Sequence, residues 1–245
     1  METKKILYQV GDTECQGYLA YDSAQKGKRP IVLVAHAWRG QDDFARVKAL
    51  ELAKLGMAAF AVDLYGNGQS VKSNEKAKEL MTPLFVNRQL LRDRMLGAYQ
   101  AASLCDVADN SKIGAIGFCF GGLAAIELLR SGAHLKGVVS FHALLGDTLG
   151  DLKALTLPNH KKAMQGSILL LHGADDPLVA PADVTNIQKE LTDARVDWQM
   201  HIFGHTTHAF TNPEANDPQG GMNYQPLSSA RGWELMRHFF AEIFK

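Results

Sequence analysis

Three side chains far apart in the sequence, Cys119, Asp176 and His208, have the types and the order that nucleophilic catalysis requires. Cys119 lies in Gly117-Phe118-Cys119-Phe120-Gly121-Gly122, a G-x-C-x-G pattern with cysteine where serine is the commoner nucleophile. Such an elbow reverses the chain from a strand into a helix within about three residues, and a Cβ at either flanking glycine would clash with the neighbouring strand or helix. The thiol is thereby presented at a helix N-terminus, where the dipole favours its reactive thiolate form. A glycine-flanked cysteine can equally be a small core residue, so the pattern needs partners before it means chemistry.

The partners come from the ends of other apolar runs. Leu169-Leu170-Leu171 leads into His172-Gly173-Ala174-Asp175-Asp176-Pro177-Leu178-Val179, whose H-G-x-x-D-x-x-V spacing selects Asp176 as the acid. The adjacent Asp175 reads as a turn-forming aspartate. Beyond the last strand stand His205 and His208, and the apolar Ala209-Phe210 behind His208 offers the packing that fixes a catalytic imidazole. In this arrangement His208 accepts the thiol proton and returns one to the leaving group, while Asp176 holds the useful tautomer. Two backbone N–H groups must receive the developing oxyanion, and Phe120 and Trp38 are the candidates, with their side chains as candidate substrate-binding walls. His36, His142 and His172 also fall at strand ends and read as structural or site-lining groups. No three histidines have a spacing that argues for zinc, and neither a metal nor a cofactor is expected.

The elements that must position these groups alternate along the chain. Ile6–Val10 and Gln16–Tyr21 around Gly11-Asp12 predict an antiparallel hairpin, and 31–35 a strand buried on both faces. A helix from about Asp43 ends at Gly56, and Met57–Asp63 reads as the next strand. Pro83 is expected to divide the following helical stretch into a lid-like first part and a long helix from about Asn87. Strands at 113–116, 135–141, 167–171 and 198–203, with helices at 123–130, 181–191 and 227–244, complete the series. This predicts an α/β fold with a mostly parallel sheet flanked by helices, in which sites gather at the carboxyl ends of the strands. Each of the three candidate residues follows a different strand, and the order nucleophile, acid, histidine is that of α/β-hydrolases. Residues 1–245 are expected to form a single domain, with 71–94 as a possible lid.

Composition narrows the partners. Lys plus Arg and Asp plus Glu both number 26, and no basic block runs along the chain, which argues against a nucleic-acid partner. Three widely spaced cysteines, Cys15, Cys105 and Cys119, give no metal or redox pair. No apolar run approaches the roughly 18 residues of a membrane span, and Met1-Glu2-Thr3-Lys4-Lys5 does not open a signal peptide, so the expected location is cytoplasmic. Oligomeric state is not legible.

With Cys119, Asp176 and His208 placed, the chain resembles the dienelactone hydrolase family of α/β-hydrolases, whose nucleophile is a cysteine in a G-x-C-x-G-G elbow. The resemblance runs from about Pro30 to the C-terminus and includes Asp63-Leu64-Tyr65-Gly66, Gly117–Gly122, His172–Val179 and His208-Ala209-Phe210. It implies a hydrolase acting on a small-molecule carboxylic ester or lactone through a thioacyl-enzyme. Two positions depart from the family pattern. Ala37 stands where a glutamate would help activate the resting thiol, so activation falls to His208 directly. Asn212 stands where an arginine would bind the substrate carboxylate, and Arg88, Arg92 and Arg94 read as solvated on a helix surface rather than as its replacement. The namesake lactone is therefore not the expected substrate. The alternative from another class is a ligand-binding or thiol-sensing pseudoenzyme, with Cys119 as a redox switch.

Overall fold

The structure is a computed structural model describing residues 1–154 and 164–245. The hairpin pairs β1 (Glu2–Val10) with β2 (Thr13–Tyr21), and Gly11 at φ 55° makes the turn. The chain then forms β3 (Arg29–Ala35), α1 (Asp43–Lys54), β4 (Ala58–Ala61), α2 (Asn74–Val86), α3 (Arg88–Ser103), β5 (Ala108–Phe118) and α4 (Phe120–Arg130). After β6 (Gly137–Phe141) come the short pair β7 (Thr148–Leu149) and β8 (Leu152–Lys153), then β9 (Ser167–Gly173), α5 (Pro181–Asp193) and β10 (Trp198–Phe203). A second short pair, β11 (Asn216–Asp217) and β12 (Met222–Asn223), precedes α6 (Pro226–Ile243).

Eight strands form one sheet in the order β1-β2-β4-β3-β5-β6-β9-β10. The β1–β2 and β2–β4 pairs are antiparallel and every other pair is parallel. Because β4 lies on one side of β3 and β5 on the other, strand order reverses between β3 and β5. Ligands of open α/β sheets bind in the crevice at such a switch point. Helices cover both faces. Ile31, Leu33 and Ala35 of β3 pack toward Leu91, Met95 and Leu123, while Val32 and Val34 pack toward Leu52, Phe239 and Phe240. Burial on both faces explains why the central strands are continuous apolar runs rather than alternating ones.

Two expectations about the helical stretch are corrected. Pro83 lies inside α2 and does not end it, although the long helix does begin where expected, at Asn87, which accepts the Leu90 N–H with its side chain and caps α3. The arginines of α3 are not solvated. Arg88, Arg92 and Arg94 are all buried, donating respectively to the Gly146 carbonyl, to Glu127 and to the Val10 carbonyl and Thr13 hydroxyl. A single helix reads as a charged surface until the partners on other elements are known. Glu127 of α4 also binds Arg130, which reaches Glu190 of α5, so an ion-pair chain links α3, α4 and α5 beneath the elbow. Among the described residues, no helix is long and apolar enough to cross a membrane.

Candidate active site

The elbow sits between β5 and α4. Cys119 has φ 55° and ψ −118°, a conformation that L side chains avoid and that a sharp strand-to-helix reversal imposes. A Cβ on Gly117 would run into the Gly121 carbonyl, and one on Gly121 into the Ala35 carbonyl of β3. Both glycines therefore permit the close approach of turn, helix and neighbouring strand. The Cys119 N–H is shared between the Phe141 carbonyl and His142 Nδ1, each at 3.1 Å.

The other two candidates meet behind the sheet edge. His208 Nδ1 lies 2.7 Å from Asp176 Oδ2, with both side chains fully buried. The other carboxylate oxygen of Asp176 accepts the Leu178 N–H at 2.9 Å, which fixes the acid's orientation. The loop that carries His208 is held by bonds from His208 N to the Gly221 carbonyl and from Asn223 N to the His208 carbonyl. His208 Nε2 is buried with no hydrogen-bond partner among the described residues, and His208 and Cys119 line the same cavity. Burial opposes charging this imidazole. The charge interaction with the neighbouring Cys119 sulfur and the Asp176 hydrogen bond outweigh that opposition and push His208 up to about 10. By contrast, Asp175 and His205 are exposed and stand 3.9 Å apart outside this arrangement.

That cavity, of about 360 Å³, lies at the reversal between β3 and β5 and is lined by Ala37, Trp38, Cys119, His142, His208 and Asn212 among others. The Trp38 carbonyl accepts a 2.7 Å hydrogen bond from Tyr65, and His36 bridges the Ala37 carbonyl and the Leu64 N–H, so the loop after β3 is fastened to the loop after β4. Asp63 secures the second loop by accepting from the N–H groups of Gln16, Tyr65, Gly66 and Gly68. Among the described residues, neither Trp38 N–H nor Phe120 N–H donates a hydrogen bond. Trp38 lines the cavity, but the expectation of Phe120 as a wall is corrected. Its fully buried ring stacks on Tyr65 at 6.4 Å inside the core, and only its amide bears on the elbow.

Position 37 carries no carboxylate, and Asn212 turns its side chain to the Glu214 N–H at 3.0 Å. The cavity's charged lining was not found by sequence reasoning. Arg39, bonded to Asn74 at 3.0 Å, is set against Asp42, Glu214 and Asp217. These residues come from three loops or helix starts and share no motif. Among the described residues, no cluster of three His, Cys, Asp or Glu side chains is placed to hold a metal ion.

An eight-stranded, mostly parallel sheet with a strained cysteine elbow after its fifth strand defines an α/β-hydrolase fold. Residues 15–244 match the model of the dienelactone hydrolase family, and the chain belongs to that family. A putative carboxymethylenebutenolidase of Aquifex aeolicus is 28% identical, over 98% of each chain. Among solved structures, a protein named m3DLH is 39% identical with a TM-score of 0.91, covering 100% of this chain and 99% of that one. A dienelactone hydrolase-like promiscuous phosphotriesterase from metagenomic libraries is 34% identical with a TM-score of 0.92, over 100% of this chain and 99% of that one.

Proposed function

We propose that this chain hydrolyses a small carboxylic ester or lactone through Cys119, His208 and Asp176. The observation that carries the reading is the buried 2.7 Å pair of Asp176 and His208, whose second nitrogen is left without a partner in the cavity that holds the strained Cys119. The Cys119 sulfur attacks the carbonyl carbon and the carbonyl electron pair moves onto oxygen, where the Phe120 and Trp38 amides stabilise it. The intermediate collapses by breaking the carbon–oxygen bond, and the His208 imidazolium protonates the departing alkoxide. Water then attacks the thioester with neutral His208 as base, releasing the carboxylic acid and restoring the thiolate and imidazolium. Asp176 holds the Nδ1 proton throughout and stabilises the cation.

The cavity lining favours an uncharged substrate, since it holds one arginine and three carboxylates and neither position 37 nor 212 adds a cation. A carboxylate-bearing lactone fits this lining poorly. A phosphotriester belongs in the substrate panel because a 34% identical relative bears that activity in its name. The reading includes one domain over residues 1–245, residues 71–94 as a lid whose Asn74 end borders the cavity, and a cytoplasmic location testable by fractionation.

Cys119→Ala and His208→Ala should each abolish hydrolysis of p-nitrophenyl acetate while remaining folded. A folded Cys119→Ala protein with full activity would remove the proposal and favour a binding or sensing role.

A further inference from the structure

We propose that His142 is a positioning residue that ties the nucleophile's elbow to the base's loop through the two nitrogens of one neutral imidazole. The inference rests on the assignment of Cys119 and His208 as nucleophile and base. His142 follows β6 and is buried, with φ at 38°, a left-handed conformation that is strained for a bulky residue. Such a conformation persists where the surroundings hold it in place, and here two loops and a strand do so.

The ring's protonation state follows from its partners. Nδ1 receives the Cys119 N–H at 3.1 Å, and a backbone amide can only donate, so Nδ1 carries no proton. The proton of the neutral ring is therefore on Nε2, which donates to Thr211 Oγ1 at 2.7 Å. Thr211 lies three residues after His208, in the same loop. His142's own N–H donates to the Leu171 carbonyl of β9, the strand that leads to Asp176. One residue thus touches the elbow, the base loop and the acid's strand.

Its faces are occupied as well. The His142 ring packs edge-on against the His208 ring at 5.2 Å and against Phe210 at 5.0 Å. The first contact limits rotation of the base, and the second fixes the strut. Charging the ring would set an Nδ1–H against the Cys119 N–H and a cation beside His208. Burial and that neighbour hold His142 well below the ordinary histidine range, with His172 acting in the same direction. A histidine that only filled space would not need this tautomer.

The test combines NMR of ¹⁵N-histidine-labelled protein with kinetics on p-nitrophenyl acetate. At neutral pH, His142 should be neutral with its proton on Nε2. Thr211→Val, which keeps the shape and removes the acceptor, should lower kcat about tenfold with KM little changed, the loss of one ordinary hydrogen bond. His142→Leu should lose more. His142→Asn should recover part of that loss, because asparagine tolerates positive φ and offers an oxygen to the Cys119 N–H. A proton on Nδ1, or folded Thr211→Val and His142→Leu proteins with kcat within twofold of wild type, would overturn the proposal. If His142→Leu does not fold, the tautomer and Thr211→Val still decide it. Cys119→Ala serves as the separate control: its retained activity would condemn the triad assignment, whereas an inert Cys119→Ala beside unaffected strut variants condemns only the strut.

Discussion

Replacing Asp176 by asparagine removes one charge and leaves the shape almost intact. The wild-type contact of 2.7 Å between His208 Nδ1 and Asp176 Oδ2 places the centres of the imidazolium and carboxylate charges about 4 Å apart. With an effective dielectric constant near 20, that separation corresponds to about 4 kcal/mol. Each 1.36 kcal/mol is a factor of ten in rate, so losing the charge alone predicts roughly a thousandfold fall in kcat. A second effect has the same sign. The Leu178 N–H occupies Asp176 Oδ1, so an asparagine keeps its oxygen there and turns its NH₂ toward His208. The ring then accepts at Nδ1 and carries its proton on Nε2, where it cannot take the thiol proton. Reversing the tautomer in this way costs about 10⁴-fold in the serine-histidine-aspartate enzymes. The combined expectation is a loss of about 10³–10⁴ in kcat on p-nitrophenyl acetate, with KM little changed and circular dichroism unaltered. Asp175→Asn, at an exposed position, should behave as wild type. A folded Asp176→Asn protein within tenfold of wild type would refute the reasoning.

Further expectations follow from the same contacts. Cys119→Ser should lower the His208 pKa from about 10, because the thiolate's attraction is among the causes that raise it; histidine NMR reads the change, and an unmoved pKa would contradict it. A raised folded pKa stabilises the fold fully below the unfolded value of about 6.5 and loses that contribution as pH climbs. Wild-type melting temperature should therefore decline more steeply between pH 6.5 and 10 than that of His208→Gln. Glu127→Gln should destabilise by roughly 3 kcal/mol in urea titrations, since it removes the buried anion that Arg92 and Arg130 share, while Arg130 keeps Glu190. Burial raises the Glu127 pKa, but the two arginines override it and hold it below the usual range. Its contribution should thus be present above about pH 4.3 and vanish as pH falls through the depressed value. Tyr65→Phe removes the bond to the Trp38 carbonyl and should cut kcat about tenfold with little change in KM; equal kcat would detach that loop from the oxyanion site.

The cysteine elbow, the Asp176 turn and the His208 loop were legible because each is a short local pattern at the end of an apolar strand, and the fold brings them together. Gly117 and Gly121 mark in the sequence itself the close approach of turn, helix and β3. What escaped the sequence depends on partners distant along the chain. The arginines of α3 read as a solvated face, since Glu127, Gly146 and Thr13 lie on other elements. Pro83 looked like a break, yet α2 continues through it and ends where Asn87 can cap the next helix. Phe120 beside the nucleophile suggested a cavity wall, but the first residue of α4 directs its ring toward Tyr65. His142 read as a structural histidine because nothing local reveals that its nitrogens meet Cys119 and Thr211.

The central claim is that Cys119 becomes covalently acylated during turnover. Mixing the protein with p-nitrophenyl acetate, quenching in acid within one turnover and mapping peptides by mass spectrometry tests it directly. The account predicts an acetyl group on the peptide carrying Cys119, absent from Cys119→Ala. Release of p-nitrophenol with no adduct on Cys119, or with the acetyl group on another side chain, would contradict it.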